Sequence, residues 1–190
     1  MDTSAPAILL LSGPESHPDL PNGWRLVTGV LDCLHRAVSG LARGVVADLR
    51  GSGPDGVQDQ LTLLRLLGEN PHTRTLPRAA LLPGVLREVL EDLASAGVDA
   101  VHLPGAASGL PPQVLDAPFV GPWPADFLRT TCPFFNSRPA GRGWLHSCGA
   151  YRDRLVLGGR RMAVYCLGGG FRDCSYFCAP RPPELQGAKP

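Results

Sequence analysis

The most constraining feature of this 190-residue chain is a late concentration of cysteine. Five of the six cysteines lie between residues 132 and 178, namely Cys132, Cys148, Cys166, Cys174 and Cys178. Thiolates are the soft ligands that zinc and iron–sulfur clusters select. We therefore predict that the last third of the chain is built around one shared site. Its expected ligands are Cys132, Cys148, Cys166 and Cys174, with Cys178 as an alternative to Cys174.

The spacing of these cysteines leaves three interpretations open. Four single, widely separated cysteines suit an iron–sulfur cluster of the [4Fe–4S] type, which is the favoured interpretation. Structural zinc usually uses cysteine pairs with two to four residues between them, and only Cys174 and Cys178 approach that spacing. His146 could replace one sulfur in such a zinc site. In the third interpretation the thiols hold no metal and are free or oxidisable, so that two of them could form a regulatory disulfide.

The composition is that of a globular protein, with 44% apolar and 18% charged residues. No apolar run approaches the roughly 20 residues needed to span a bilayer. The run at residues 7–11 is also too short for the core of a signal peptide. We therefore expect a cytoplasmic protein without a membrane partner, in a reducing setting that disfavours structural disulfides.

Charge is distributed unevenly along the chain. Residues 1–116 contain 8 Arg and 13 acidic residues, a net charge of −5, whereas residues 117–190 contain 9 Arg, 1 Lys and 4 acidic residues, a net charge of +6. Four arginines are predicted to bind an anionic group or a partner: Arg152, Arg154, Arg160 and Arg161. Because no nucleic-acid recognition motif accompanies them, a protein partner is favoured over DNA or RNA.

The first 108 residues alternate between apolar runs and amphipathic segments. The apolar runs predict five strands, at residues 7–12, 24–30, 44–49, 78–83 and 98–105. Helical spacing of apolar residues predicts helices at 31–42, around 57–68 and at 84–96, the last of which ends at Gly97. Strands that alternate with helices indicate an α/β fold with a doubly wound, parallel five-stranded sheet.

Two segments carry a resemblance to a known family. "VVADLRGSGPDG" places Asp48 at the end of the third strand, ahead of a Pro/Gly loop, and "AGVDAVHLPG" closes the fifth strand. Together with the order of elements over residues 6–108, they resemble a receiver domain of the response-regulator family. The resemblance implies a receiver or flavodoxin-like fold with Asp48 at the phosphoacceptor position.

The departures from that family argue against phosphoryl transfer. Only Glu15 follows the first strand where receivers have an acidic pair for Mg²⁺, Pro83 stands near the position of the switch Thr or Ser, and His102 replaces the Lys. Phosphoryl transfer needs the cation and the Lys to neutralise the charge of the transferred group. We therefore expect a pseudo-receiver in which Asp48 is inactive, with phosphorylation of Asp48 as an alternative.

The cysteine segment carries a second, looser resemblance. Its four contexts, "TCPFF", "HSCGAY", "VYCLGGG" and "RDCSYF", are similar to those of short bacterial modules found beside signalling and redox domains. That resemblance implies metal ligation. It does not name a family.

We therefore predict a receiver-like domain at 1–108, a Pro/Gly-rich linker at 109–131, a small, loop-rich cysteine module at 132–178 and a disordered tail at 179–190. Cys33 is expected to pack in the core of the first domain. The sequence contains no motif typical of an enzyme's catalytic residues, so a regulatory or accessory protein is favoured over a catalyst. A redox sensor or electron carrier is the leading function, and a non-redox adaptor with structural zinc is the alternative.

Overall fold

The computed structural model describes residues 6–12, 20–50, 52–103, 121–140, 143–151 and 155–180. The chain forms two compact units, residues 1–125 and residues 126–190. Within the described part of the chain, every helix is too short or too polar to cross a membrane.

The first unit is an α/β fold, as the sequence predicts. Its elements are β1 (Ala7–Leu11), β2 (Trp24–Val27), α1 (Val30–Val38), β3 (Ala42–Asp48), α2 (Pro54–Glu69), β4 (Arg78–Leu81), α3 (Arg87–Ser95) and β5 (Ala100–His102). The five strands are parallel and lie in the order β2-β1-β3-β4-β5. This is the flavodoxin-like order of doubly wound sheets, in which helices cover both faces. The predicted fold class is therefore confirmed.

The sheet is apolar on both faces because β1, an inner strand, alternates between two cores. Ile8 and Leu10 of β1 belong to one cluster of fully buried side chains, whereas Leu9 and Leu11 belong to the cluster on the opposite face. A side chain of this size contributes about 1.5–3 kcal/mol when it is buried. Cys33 of α1 is completely buried in the second cluster, which confirms its predicted place in the core.

A buried arginine joins two helix ends in this unit. Arg78, the first residue of β4, is 6% exposed, and its Nη1 donates hydrogen bonds to the carbonyl oxygens of Leu64 (3.2 Å) and Ala96 (2.8 Å). These carbonyls lie near the C-terminal ends of α2 and α3, where a positive charge complements the helix dipole. Gly97 follows with φ +67°, so the predicted glycine stop of α3 is confirmed.

The second unit contains a small antiparallel sheet that the sequence analysis did not predict. A helix, α4 (Pro124–Thr130), leads into it across the boundary between the units. The sheet has the strand order β6 (Phe135–Ala140), β7 (Gly143–Cys148) and β8 (Leu155–Val156). The remaining elements are single turns: a 3-10 turn (Gly149–Tyr151), α5 (Gly159–Arg161) continued by a π-helix (Met162–Cys166), a 3-10 helix (Gly170–Asp173) and α6 (Ser175–Cys178). The unit is otherwise rich in loops, as expected.

Three predictions fall partly or wholly outside the described residues. The loop after β1, where Glu15 lies, is outside them, as are most of the predicted linker and all but the first residues of the predicted tail.

Candidate metal centre

Four cysteines of the second unit line one cavity. Cys132 follows α4, Cys148 ends β7, Cys166 ends the π-helix and Cys174 directly precedes α6. Each is buried, with 6%, 7%, 6% and 9% of its surface exposed. The structure thus brings together the four cysteines that the sequence analysis selected. Their ligation of a metal stays a prediction.

Backbone hydrogen bonds connect three of the four cysteine segments. The amide of Cys132 donates to the carbonyl of Cys166 (2.7 Å), which joins the segment before β6 to the end of the π-helix. Phe135 faces Cys148 in the β6–β7 ladder, and the amide of Phe135 donates to the carbonyl of Cys132 (2.9 Å). The small sheet therefore positions Cys148 beside Cys132, although the two are widely separated in sequence.

The glycine run after Cys166 allows the chain to turn back against the π-helix. The amide of Leu167 donates to the carbonyl of Met162 (2.9 Å), the five-residue step of a π-helix, which is often found at functional sites. A Cβ atom at Gly168 would overlap the carbonyl oxygen of Ala163. Gly169 has φ +79°, a conformation that favours glycine, and its amide donates to the carbonyl of Thr130 (2.9 Å). These glycines are required for the packing of the backbone around the cavity.

Aromatic side chains form most of the remaining wall. The lining includes the rings of Phe134, Phe135, Tyr165, Phe171, Tyr176 and Phe177, together with Ala150 and Leu157. Phe177 packs edge-on against Phe134 at 5.9 Å and against Phe171 at 5.0 Å between ring centroids. An apolar shell of this kind limits the access of water to a metal site and tunes its reduction potential.

The electrostatics of the cavity are set by the sulfurs and by one arginine. Burial, followed by the negative charges of the other three cavity cysteines, raises the pKa of Cys166 to about 11. Arg161 is the one charged residue among the described residues of the lining. Its guanidinium lies over the ring of Tyr176, with Cζ 4.7 Å from the centroid, and a hydrogen bond with Tyr176 raises the pKa of Arg161. A fixed positive charge therefore lies beside a group of sulfurs.

Two alternative ligands of the sequence analysis lie elsewhere. Cys178 is exposed, and its thiol donates to the carbonyl of Arg172 (3.2 Å) instead of lining the cavity. His146 stacks on Phe135 at 5.5 Å, and its Nδ1 shares a hydrogen bond with the hydroxyl of Ser137 (2.8 Å). Over the described residues, no group of three or more His, Cys, Asp or Glu side chains has the geometry of a metal-ion site.

Asp48, which the sequence analysis placed at the phosphoacceptor position, forms an ion pair in the first unit. Asp48 is 3% exposed at the end of β3, and Nε and Nη2 of Arg50 donate to its Oδ1 and Oδ2, each at 2.8 Å. The hydrogen bond to Asp48 raises the pKa of Arg50. Gln60 of α2 donates to the carbonyl of Asp48 (3.4 Å) and to the hydroxyl of Ser52 (2.8 Å). Arg50 is a residue that the sequence analysis missed, although it lies only two positions after Asp48.

His102 ends β5, where the sequence analysis placed it. It is 8% exposed, burial lowers its pKa, and its Nε2 has no hydrogen-bond partner among the described residues. The chain returns beside it at Gly121, where an added Cβ would lie 2.8 Å from Cε1 of His102. His102 is thus held in a closely packed apolar setting.

Of the four arginines predicted to bind a partner, two lie in the described residues. Arg160 is exposed, and Arg161 lines the cysteine cavity. Arg152 and Arg154 lie outside the described residues.

Comparisons with known proteins address the fold of the first unit. No protein-family model and no curated protein matches the sequence. A similar solved structure is the N-terminal domain of a response regulator receiver protein from Methanoculleus marisnigri JR1. It has a TM-score of 0.35 and 19% sequence identity, and the match covers 53% of this chain and 85% of that domain.

Proposed function

We propose that the second unit binds a [4Fe–4S] cluster through Cys132, Cys148, Cys166 and Cys174 and uses it for redox sensing or electron transfer. The observation that carries the proposal is the lining of one cavity by four buried cysteines from four separate segments of the chain. Four thiolates are the usual ligand set of such a cluster. The residues present therefore fit the group in number, chemistry and burial.

The spacing of the cysteines favours a cluster over a single zinc ion. Structural zinc sites usually use cysteine pairs with two to four residues between them. The four cavity cysteines stand singly in the sequence, at positions 132, 148, 166 and 174. Single, widely spaced cysteines within a mainly aromatic wall suit a polynuclear group better.

The bound cluster would supply a reversible one-electron couple. The chain's own residues determine its surroundings. The phenylalanines exclude water, the glycines after Cys166 bring the backbone close, and Arg161 places positive charge beside the anionic sulfurs. Each of these features influences the reduction potential of an iron–sulfur site.

We propose a regulatory role for the receiver-like unit that does not depend on phosphate. The carboxylate of Asp48 is engaged at both oxygens by Arg50, so neither oxygen is available as a nucleophile in this arrangement. The unit then serves as a platform for a protein partner, while the cluster carries the signal or the electron.

Anaerobic purification of the full chain tests the cluster. The proposal expects broad absorbance at about 400 nm and about four iron and four sulfide per chain. Serine at any of the four cavity cysteines is expected to remove most of this iron. Cys178→Ser is the matched control, because Cys178 is close to Cys174 in sequence but exposed, and it should retain the iron.

Other results would overturn the proposal. Stoichiometric zinc without colour would favour the adaptor with structural zinc. Loss of iron in Cys178→Ser together with its retention in Cys174→Ser would show that a different set of sulfurs is used.

A further inference from the structure

An open groove lies directly beside the cysteine cavity. We call it the basic groove, and it is lined by Gly158, Gly159, Arg160, Arg161, Val164 and Tyr165. The groove is open to solvent and contains about 990 Å³ of space not filled by atoms. It is formed by the start of α5 and the adjoining π-helix.

The basic groove and the cavity share a wall. Arg161 and Tyr165 line both spaces, and Cζ of Arg161 lies 6.0 Å from the ring centroid of Tyr165. Arg161, the last residue of α5, and Tyr165 of the π-helix therefore form the boundary between the groove and the cavity of the four cysteines.

The surface of the basic groove is both positive and apolar. Arg160 is exposed, Arg161 is half-buried and Val164 keeps 50% of its surface exposed, while the described lining contains no acidic residue. The two glycines at its start carry no side chains that would obstruct an approaching surface. A patch of this character is complementary to an acidic surface with apolar side chains.

We infer that the basic groove is the docking surface for an acidic face of a protein that exchanges electrons with this chain. The inference rests on the proposed function, because the exchange requires the cluster. In this exchange one electron would pass from the reduced cluster to the one-electron centre of the partner, or from the reduced partner to the oxidised cluster. The shared wall keeps the path short, and Arg160 orients the partner.

A protein surface fits the groove better than a small anion. Sites for small molecules bury most of their ligand, whereas this groove is wide and open to solvent. Electrostatic complementarity of exposed charges mainly speeds and orients the encounter of two proteins. Electron-transfer encounters are also at the small end of protein interfaces, in keeping with a surface formed by few residues.

The binding test uses the full chain and does not depend on whether the chain contains iron. The probe is a synthetic acidic peptide in which glutamates flank leucines, and its binding is followed by amide chemical shifts at low salt. Arg160→Glu is expected to weaken binding by about tenfold, since it reverses a charge in the groove. Arg172→Glu is the matched control, because Arg172 is exposed in the same unit but does not line the groove, and it should bind almost normally.

Three results would overturn the docking surface. The first is that Arg160→Glu binds the peptide as tightly as the parent chain. The second is that Arg172→Glu loses as much affinity for the peptide as Arg160→Glu. The third is that inorganic phosphate shifts the groove amides with the same affinity as the peptide. The last result would assign the groove to small anions.

Electron exchange is tested on the iron-loaded protein with two small oxidants of opposite charge. The rate of each oxidant with the reduced protein is divided by its rate with a free cluster analogue. This ratio is expected to be larger for ferricyanide, an anion, than for hexaamminecobalt(III), a cation. Arg160→Glu should reduce the ferricyanide rate by about tenfold at low salt, and Arg172→Glu should leave it nearly unchanged. A protein that binds the peptide but contains no iron would overturn the proposed function and the electron exchange, while the docking surface would stand.

Discussion

The guanidinium of Arg50 holds both carboxylate oxygens of Asp48, with two hydrogen bonds of 2.8 Å. A phosphoacceptor aspartate needs a free oxygen and a cation beside it, because charge on the transferred group has to be neutralised. We expect no incorporation of phosphate when the chain is incubated with acetyl phosphate and Mg²⁺. Incorporation that Asp48→Asn abolishes would contradict this expectation.

The same ion pair makes a prediction about stability. Arg50→Ala leaves the buried Asp48 carboxylate without its bidentate partner, and such a loss typically costs about 3–5 kcal/mol. Because the pair is partly exposed at Arg50, we expect Arg50→Ala to lower the free energy of unfolding of the first unit by about 2 kcal/mol, measured by chemical denaturation. The double variant Asp48→Asn with Arg50→Ala removes the unpaired charge and should recover part of that loss. A double variant no more stable than Arg50→Ala would contradict the explanation.

Gly168 and Gly159 give a matched pair of variants. Gly168→Ala places a methyl group on the carbonyl oxygen of Ala163, so we expect a loss of about 1–3 kcal/mol in the second unit and lower iron content. Gly159→Ala is the control, since nothing lies within 4 Å of its added Cβ and its position is helical. Thermal unfolding and iron analysis of both variants test this. Equal behaviour of the two would show that the close packing is not required.

Arg78 is predicted to be essential for the first unit. Arg78→Met removes the hydrogen bonds to Leu64 and Ala96 and should lower the free energy of unfolding by about 3 kcal/mol, because bonds from a charged donor are the stronger ones. Gly68→Ala should also be destabilising, since its methyl group would overlap Nη1 of Arg78. Gly56→Ala is the control in the same helix, where the nearest side-chain atom lies at an ordinary 3.4 Å. Denaturant titration measures all three.

His102 is expected to make the first unit sensitive to acid. Burial lowers its pKa in the folded state below the ordinary value of 6.5, so the unfolded chain binds the proton more readily. The folded state is therefore at full stability above about pH 6.5 and loses stability as the pH falls from there through the folded pKa. His102→Gln should show a smaller loss between pH 7 and pH 5 than the parent chain. His72→Gln, at an exposed position, should retain the parent profile.

Cys33 and Cys178 are predicted to differ in reactivity. Burial and the charge of Asp32 raise the pKa of Cys33 to about 12, so at pH 8 only about one thiol in ten thousand is ionised. Iodoacetamide should therefore label the exposed Cys178 in the native protein and leave Cys33 unmodified until denaturant is added. Mass spectrometry of the labelled peptides measures this. Labelling of native Cys33 would contradict its buried position.

The strands of the first unit were predictable because their apolar runs are continuous. Buried parallel strands need no polar face, so the run at residues 7–12 indicated β1 nearly to its ends, and Gly97 indicated the end of α3. The burial of Arg78 was not predictable, because a charged residue at the start of a strand usually faces solvent. Only the meeting of two helix ends makes that position favourable, and this is a tertiary feature.

The grouping of the cysteines in the second unit was predictable, whereas its fold was not. The strands β6 and β7 were not predicted because polar residues, Pro139 and Gly143 interrupt their alternation. The positions of Cys174 and Cys178 relative to the cavity also required the structure. Cys174 precedes the short helix α6 and lines the cavity, whereas Cys178 ends that helix at the surface.

The four cavity cysteines are spread from residue 132 to residue 174, and each comes from a different segment of the second unit. Under the proposed function, no shorter fragment would contain all four ligands. The site would then stay incomplete during synthesis until Cys174 has left the ribosome, and iron and sulfide would be delivered only after this region has been translated.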